Sequence, residues 1–566
     1  MKLPDTGTDQ LWEKSYPPGV SWAMEPVCHP VHQAFEEQAR ARPDSPCLDF
    51  LDNKYTYGEV FDRIRCFACG LQKLGFGKGS KIGLCLPNCP YYVFAYYAVL
   101  KVGATVVNFN LLYTEAEIKQ QIDNSEIDLM ITLDLKLVFP KVYACLQSTV
   151  LKQIIVCSFT DVLPPLKRCL FRLFRFRELA RIPRETTLLD FKQVSSHGVV
   201  VTDVVIDPLQ DIALFQYTGG TTGRPKAAML SHSNVTSNAV QVTLWLEADM
   251  GSLENEKFLA VIPFFHVFAM TAILNMGLGR GAEIIMLPRF DLKAVLRTIT
   301  AKKPTIFPGI PAIFNAINHA PDLVRYDLSS IKYCISGGAS LPVTVKQQFE
   351  AHTGCSLVEG YGLSETSPVV SCNPANDGGK AGSIGLPLPG TKVQIGSLDD
   401  IQEILETGAT GELLVHGPQV MQGYWNAAEE TAGTLLADGW LRTGDVGYMD
   451  EAGYLFLTDR LKDIIICNGY KIYPRVIEDA LYQHPDVVEA IVIGIPSASK
   501  GEQPKAFVTL SAGAKASEAE LLDFVCGKLN PIERPVAVEV RKELPHTLIG
   551  KLSKKELIAE EAEKRK

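Results

Sequence analysis

The residues with the clearest chemical capacity lie in YTGGTTGRPKAAML, from Tyr217 to Leu230. Gly219, Gly220 and Gly223 allow close backbone approach and positive φ, so successive N–H groups can point at one anion. Thr218, Thr221 and Thr222 add hydroxyl donors, and Lys226 adds a point charge. A P-loop would need Lys directly after the last Gly and Ser or Thr after the Lys. Here Arg224 and Pro225 intervene and Ala227 follows. The Rossmann spacing G-x-G-x-x-G is absent too. The loop therefore reads either as a phosphate cradle of another kind or as a glycine-rich hairpin with a solvated lysine.

A loop of this kind must be held by rigid elements. DIALFQYT, just before it, has the apolar character of a short buried strand. Further upstream and downstream, KIGLCLP, ATVVNFN, IDLMITL, KQIIVCS, KFLAVIP, AEIIMLP, PTIFPGI and KYCISGG also read as strands. Amphipathic stretches lie between many of them, which predicts α/β organisation with largely parallel sheets. From about 380 to 460 the texture changes to short strands with glycine-rich turns, a β-rich subdomain. After Leu461 strands and helices alternate again over about 100 residues, enough for a small separate core.

At 566 residues the chain is too long for one ordinary core. A net charge of −9 argues against general nucleic-acid binding, which needs a basic footprint. The N-terminus MKLPDTGTDQ lacks a charged-then-apolar signal pattern, so a cytoplasmic protein is expected. The longest apolar run, YYVFAYYAVL, stops at Lys101 and reads as a buried helix rather than a membrane span. The 14 cysteines then read mostly as small core residues. Cys66, Cys69, Cys85 and Cys89 have a zinc-like spacing, but two lie in a helical pattern and one on a strand, so packing is the better account.

One segment stands apart. LPPLKRCLFRLFRFRELARI, 163–182, mixes large apolar residues with Lys167, Arg168, Arg172, Arg175, Arg177 and Arg181. At helical spacing Arg168, Arg172 and Arg175 share one face, with Leu166, Cys169, Leu170, Leu173 and Phe176 on another. This suits either peripheral contact with an anionic membrane or a surface helix docked on its own domain.

The glycine-rich loop is followed by SGGAS (336–340), EGYGLSETSP (359–368), GWLRTGDVGYMD (439–450), DRLKDIIICNGYKIYPRVIE (459–478) and PHTLIGKLSKKEL (545–557). In this order and spacing they resemble the signature of the adenylate-forming family: acyl-CoA synthetases, carrier-protein adenylation domains and beetle luciferases. The resemblance covers essentially the whole chain. It implies a large N-terminal domain, 1–460, of two sheet-and-helix subdomains and a small β-barrel-like subdomain, followed by a smaller mobile α+β domain, 461–566. It also implies activation of a carboxylate by attack on the α-phosphate of ATP, with Mg2+. Two anions must meet while charge builds at phosphorus, so cations and aligned N–H donors are the expected catalytic groups.

By this resemblance the 217–226 loop holds the β- and γ-phosphates. Gly338 and Tyr361 form the adenine pocket, Glu365 contacts magnesium with Thr218 as a second candidate, and Thr366 reaches the phosphate. Asp445 accepts from the ribose hydroxyls and Arg460 adds a ribose or phosphate contact. Lys551 enters from the C-terminal domain to bridge carboxylate and α-phosphate. Lys462 matches the hinge about which that domain swings. Gly469 matches the face that then lines the pantetheine tunnel for CoA, and Lys471 a polar contact of the adenylating face. His266, in PFFHVF, matches a gate near the acyl carboxylate, or is a core-edge histidine. The family's pattern is broken at Ala227, where Gly is usual, at Gly220, where Ser is common, and at Ser553-Lys554, where Arg is more usual.

WEKSYPPGV, NFNLLYTEAEI, TGGTTG, VMQGYWN and the insert after 163 resemble fatty-acid–CoA ligases of the bacterial long-chain type. An apolar tunnel walled by 234–270 would then set chain length, with Trp245 either its gate or a core residue. An aryl- or cyclic-carboxylate–CoA ligase would share every motif. A carrier-protein adenylation domain would need a carrier module, and none follows residue 566. A non-catalytic lipid-binding relative would be expected to lose Lys551 or Glu365, and both are present. Homodimers occur in the family, but no interface is legible here.

Overall fold

The structure, a computed structural model, describes residues 11–196, 201–218, 225–375, 379–497, 500–511, 513–546 and 552–564. Among them the strands form five sheets. The first runs, in spatial order, Leu188–Asp190, Gln153–Cys157, Leu129–Leu133, Lys81–Cys85, Thr105–Asn108, Ile212–Thr218 and Lys226–Ser231. All its neighbours are parallel except the last pair. Leu129–Leu133 is buried at every position, as a parallel strand covered by helices on both faces requires. Helix Tyr57–Lys73, packed against Pro90–Lys101, starts at a reciprocal Thr56–Glu59 cap. Pro90–Lys101 is buried up to Leu100, and Lys101 ends it by pairing with Glu36 at 2.7 Å. No described helix is long and apolar enough to cross a membrane.

A second layer joins Lys257–Ala260, Glu283–Met286, Pro46–Phe50 and Asn53–Thr56 to Tyr333–Ser336, Ser356–Gly362, Val369–Cys372 and Leu386–Pro387. The join is Ile306, which bridges Phe258 on one side and Tyr333 on the other. PTIFPGI, expected as a strand, is thus only a single-residue link with a further bridge at Gly309. Its two prolines lack the N–H groups a ladder needs. Beyond this lies an antiparallel meander, Lys392–Gly396, Gly411–His416, Leu441–Met449 and Leu455–Arg460.

The C-terminal unit has a core of its own, including Ile465, Ile472, Ile477, Leu481, Val492, Val508 and Leu521. Its strands order as Tyr470–Ile472, Ile465–Cys467, Gly501–Leu510 and Val487–Ser497, with Val538–Val540 beside Gly501–Leu510. The four cysteines of zinc-like spacing are packing residues: Cys66 and Cys69 lie on a helix, Cys85 on a strand, and Cys89 caps the next helix. Burial raises the Cys85 and Cys89 thiols to about 12, which keeps both protonated.

Candidate active site at the domain cleft

A cleft of about 820 Å³ opens between the large unit and the C-terminal unit. Gly338, Tyr361, Asp445, Arg460 and Lys462, all singled out by sequence, line it together. The hairpin register sets Asp445 directly opposite Arg460 on adjacent strands. Arg460 Nε lies 3.2 Å from Asp445 Oδ1, and the Tyr361 hydroxyl donates to Asp445 Oδ2 at 2.7 Å. Burial raises the Asp445 carboxyl's pKa while the guanidinium beside it pulls the other way. The carboxylate in turn raises Arg460. A carboxylate has about four acceptor positions, so two donors still leave room for a pair of hydroxyls. Gly338 follows the strand Tyr333–Ser336 at φ +81, a conformation that favours glycine, and opens the wall beside Tyr361.

A second group of these residues is set by the antiparallel pair Ile212–Thr218 and Lys226–Ser231. Thr218 and Lys226 face each other across its two strands. Lys226 Nζ sits 5.3 Å from the centre of the Tyr424 ring, and the Tyr424 hydroxyl donates to Glu365 Oε1 at 2.7 Å. The turn Ser364–Thr366 packs on both strands. Burial raises the Glu365 pKa, so the site disfavours an isolated negative charge there. Oxygen donors on a desolvated carboxylate and a nearby threonine hydroxyl suit Mg2+, which binds few protein ligands and completes its shell with phosphates and water.

Other selected residues sit differently. Thr366 is fully buried, and its hydroxyl donates to the carbonyls of Leu363 and Pro368. That hydroxyl holds the turn. His266 caps the short helix Val267–Ala269, its Nδ1 accepting from the Phe268 N–H at 3.3 Å. Trp245 packs in the core, with Tyr16 edge-on at 5.0 Å and its Nε1 donating to Asn373 O at 3.4 Å. Lys471 and Gly469 do not line the cleft. Lys471 lies 3.8 Å from Asp399, and Gly469, at φ +79, forms an open turn. Gly219, Gly220, Thr221, Thr222, Gly223 and Lys551 lie outside the described residues.

The cleft also contains groups that sequence reading missed. Glu359 is buried beside Tyr361, and burial pushes its carboxyl up to about 7. Its place next to the motif tyrosine was visible, but its burial was not. From the C-terminal unit come Arg475, Glu478, His546 and Lys554. Tyr424 was present in VMQGYWN, yet only the fold shows its contact with Glu365.

Residues 35–425 match the family described as AMP-binding enzyme, and 476–551 match the AMP-binding enzyme C-terminal domain. The chain belongs to the AMP-binding enzyme family. This AMP-binding enzyme is 44% identical to a long-chain-fatty-acid–CoA ligase of Bacillus subtilis (strain 168), over 98% of each chain. It is 32% identical to a 4-coumarate–CoA ligase of Humulus lupulus, over 94% of this chain and 93% of the other. Its fold is like that of the ATP-bound MatB of Rhodopseudomonas palustris, with TM-score 0.82, 24% identity and coverage of 95% and 100%.

Proposed function

We propose that this chain is an AMP-forming long-chain fatty-acid–CoA ligase. The observation that carries the reading is the linked Tyr361–Asp445–Arg460 cluster in a cleft, in a chain similar over its full length to such a ligase. In the first step a fatty-acid carboxylate oxygen bonds to the α-phosphorus of ATP, and the bond to the β-phosphate breaks, releasing pyrophosphate. In the second the CoA sulfur bonds to the acyl carbon, its proton is lost, and AMP leaves with the bonding pair.

Tyr361 and Gly338 take the adenine, and Asp445 with Arg460 holds the ribose. Thr218, Lys226 and the residues 219–223 between them cradle the β- and γ-phosphates. Glu365 would hold Mg2+ with Thr218, and the ion would offset phosphate charge. His266 stands at the acyl carboxylate. Residues 1–460 form one domain and 461–566 a second that swings at Lys462. In one orientation Lys551 bridges carboxylate and α-phosphate, with Lys471 on the same face. In the other, the face at Gly469 admits the thiol arm of CoA. Two orientations answer a simple problem: one pocket cannot hold pyrophosphate and thiol in the same place. Such an enzyme works in the cytoplasm with peripheral contact to the membrane through 163–182, where long-chain acids partition.

The test is product analysis of purified protein with ATP, Mg2+ and CoA against fatty acids from hexanoate to stearate, plus benzoate and cinnamate. AMP, pyrophosphate and a long-chain thioester are expected. Turnover of only the ring acids would keep the mechanism and replace the substrate class. No AMP from any acid would overturn the reading.

A further inference from the structure

The segment that follows Leu163 is turned opposite to an ordinary surface helix. Helix Pro165–Phe174 gives its cationic side to the protein. Arg168 donates through Nε to Thr160 O and through Nη2 to Asp161 O, each at 2.9 Å. Arg172 donates to Thr160 Oγ1 at 3.0 Å and lies 3.8 Å from Asp161. Lys167 donates to Leu51 O at 3.0 Å and pairs with Asp52. Phe171 is the helix's buried residue, its ring 5.2 Å from that of Phe159.

The apolar side faces solvent. Leu166, Leu170, Leu173 and Phe174, with Phe176 in the next turn, are 45–73% exposed. Exposed apolar side chains usually scatter singly, whereas these form one ridge within eleven residues. The neighbouring loop extends it. Lys136 N–H donates to Glu178 O at 2.8 Å and Leu135 bridges Leu179, which brings Leu137, 57% exposed, to the same corner. Arg177 adjoins the ridge, its guanidinium carbon 6.0 Å from the centre of the Phe176 ring, and Arg175, Arg181 and Arg184 are exposed in the same segment. Arg175 pairs with Glu178, while Arg177, Arg181 and Arg184 have no ion pair among the described residues.

We propose that this ridge seats the protein on an anionic lipid bilayer, with its Leu and Phe side chains among the acyl chains and its arginine rim at the headgroup phosphates. The charge pattern selects this occupant. A second copy of the chain meeting the ridge across a two-fold axis would bring like arginine rims together, which is unfavourable. A phosphate-bearing surface complements both the apolar ridge and the rim. The basic face is occupied in docking the helix on its own domain, so apolar insertion leads and the rim assists. The benefit to the enzyme, uptake of acids dissolved in the bilayer, rests on the long-chain reading; the ridge itself does not.

The experiment is co-sedimentation of the full chain with vesicles of equal parts phosphatidylglycerol and phosphatidylcholine. Wild type should sediment, and the double variant Leu170→Glu/Phe174→Glu should lose about tenfold or more of its bound fraction. Arg177→Glu/Arg181→Glu should lose several-fold, with a similar loss for wild type on pure phosphatidylcholine. Both variants should keep wild-type turnover of octanoate without vesicles, which shows that they fold. No sedimentation of wild type, or equal sedimentation of the Leu170/Phe174 variant, overturns the proposal. So does a wild-type dimer that this variant abolishes, since a second copy would then occupy the ridge. Vesicle binding lost as expected, in a protein that activates no fatty acid, would overturn the substrate reading and leave the ridge assigned.

Discussion

Tyr361 and Arg460 each bond one oxygen of Asp445. Asp445→Asn keeps the shape and removes the charge. A hydrogen bond to a charged group contributes about 1.5–3 kcal/mol, so ATP binding should weaken roughly 10- to 100-fold. Calorimetric titration with ATP checks this, and unchanged affinity would remove the ribose role. Glu359 makes a different prediction. Its carboxyl is protonated in the folded state up to about pH 7 because burial disfavours its charge, with Arg475 opposing. An unfolded chain releases that proton near its ordinary pKa of 4.5. Between those values the folded state binds more protons, so stability falls as pH rises and stays lowered above 7. Glu359→Gln cannot ionise. It should melt above wild type at pH 8 by a margin on the order of 2 kcal/mol, and close to wild type at pH 4.5. Parallel melting curves at the two pH values would refute the assignment.

At the scale of elements, the described residues on either side of 547–551 contact one another. His546 bridges Leu552, the Ser553 N–H donates to Pro545 O at 2.8 Å, and His546 Nε2 lies 2.9 Å from Glu489 Oε1. Just beyond, Lys554 Nζ lies 3.7 Å from both Asp463 and Glu478. These contacts tie Lys554 to the turn Leu461–Asp463 and to helix Pro474–Leu481. Lys551→Ala should cut adenylate formation by roughly 10²–10³-fold and spare thioester formation from supplied acyl-AMP. Equal loss in both half-reactions would refute the two-orientation scheme. Lys554→Ala should also lower adenylate formation more than the thioester step, by about tenfold, through misplacement of its neighbour. Lys554→Arg, which keeps the charge, should restore it. A loss in Lys554→Ala that falls on both steps alike would reduce Lys554 to a stability role.

For the whole molecule, the cleft belongs to two units with separate cores, and Asn315 Nδ2 donates to Val488 O across it at 3.1 Å. Lys462 lines the cleft at the start of the second unit. Proline fixes φ near −65°, so Lys462→Pro should hold one orientation. The expected result is one half-reaction near wild type and the other reduced at least about tenfold, read by pyrophosphate exchange and by thioester formation from acyl-AMP. Both half-reactions at wild-type rates would show that no swing occurs at this residue.

Local physics made much of this molecule legible from its residues. Continuous apolar runs such as IDLMITL can be stable only between covering layers, and Leu129–Leu133 is such a strand. The ordered motifs likewise announced the family, because glycine, aspartate and lysine types are dictated by local backbone and charge needs. PTIFPGI misled, since hydropathy alone does not weigh the N–H groups its prolines lack. Which way a helix turns its faces is not a local property: Arg168 and Arg172 point inward because Thr160 and Asp161, brought there by the fold, accept from them. Burial is likewise collective, so the raised Glu359 carboxyl, the Tyr424–Glu365 contact and the link from Lys554 to the turn Leu461–Asp463 came only from tertiary structure. Residue types and spacing determined the family and the chemistry it resembles, whereas packing between distant segments decided which charges are buried, paired or left facing solvent.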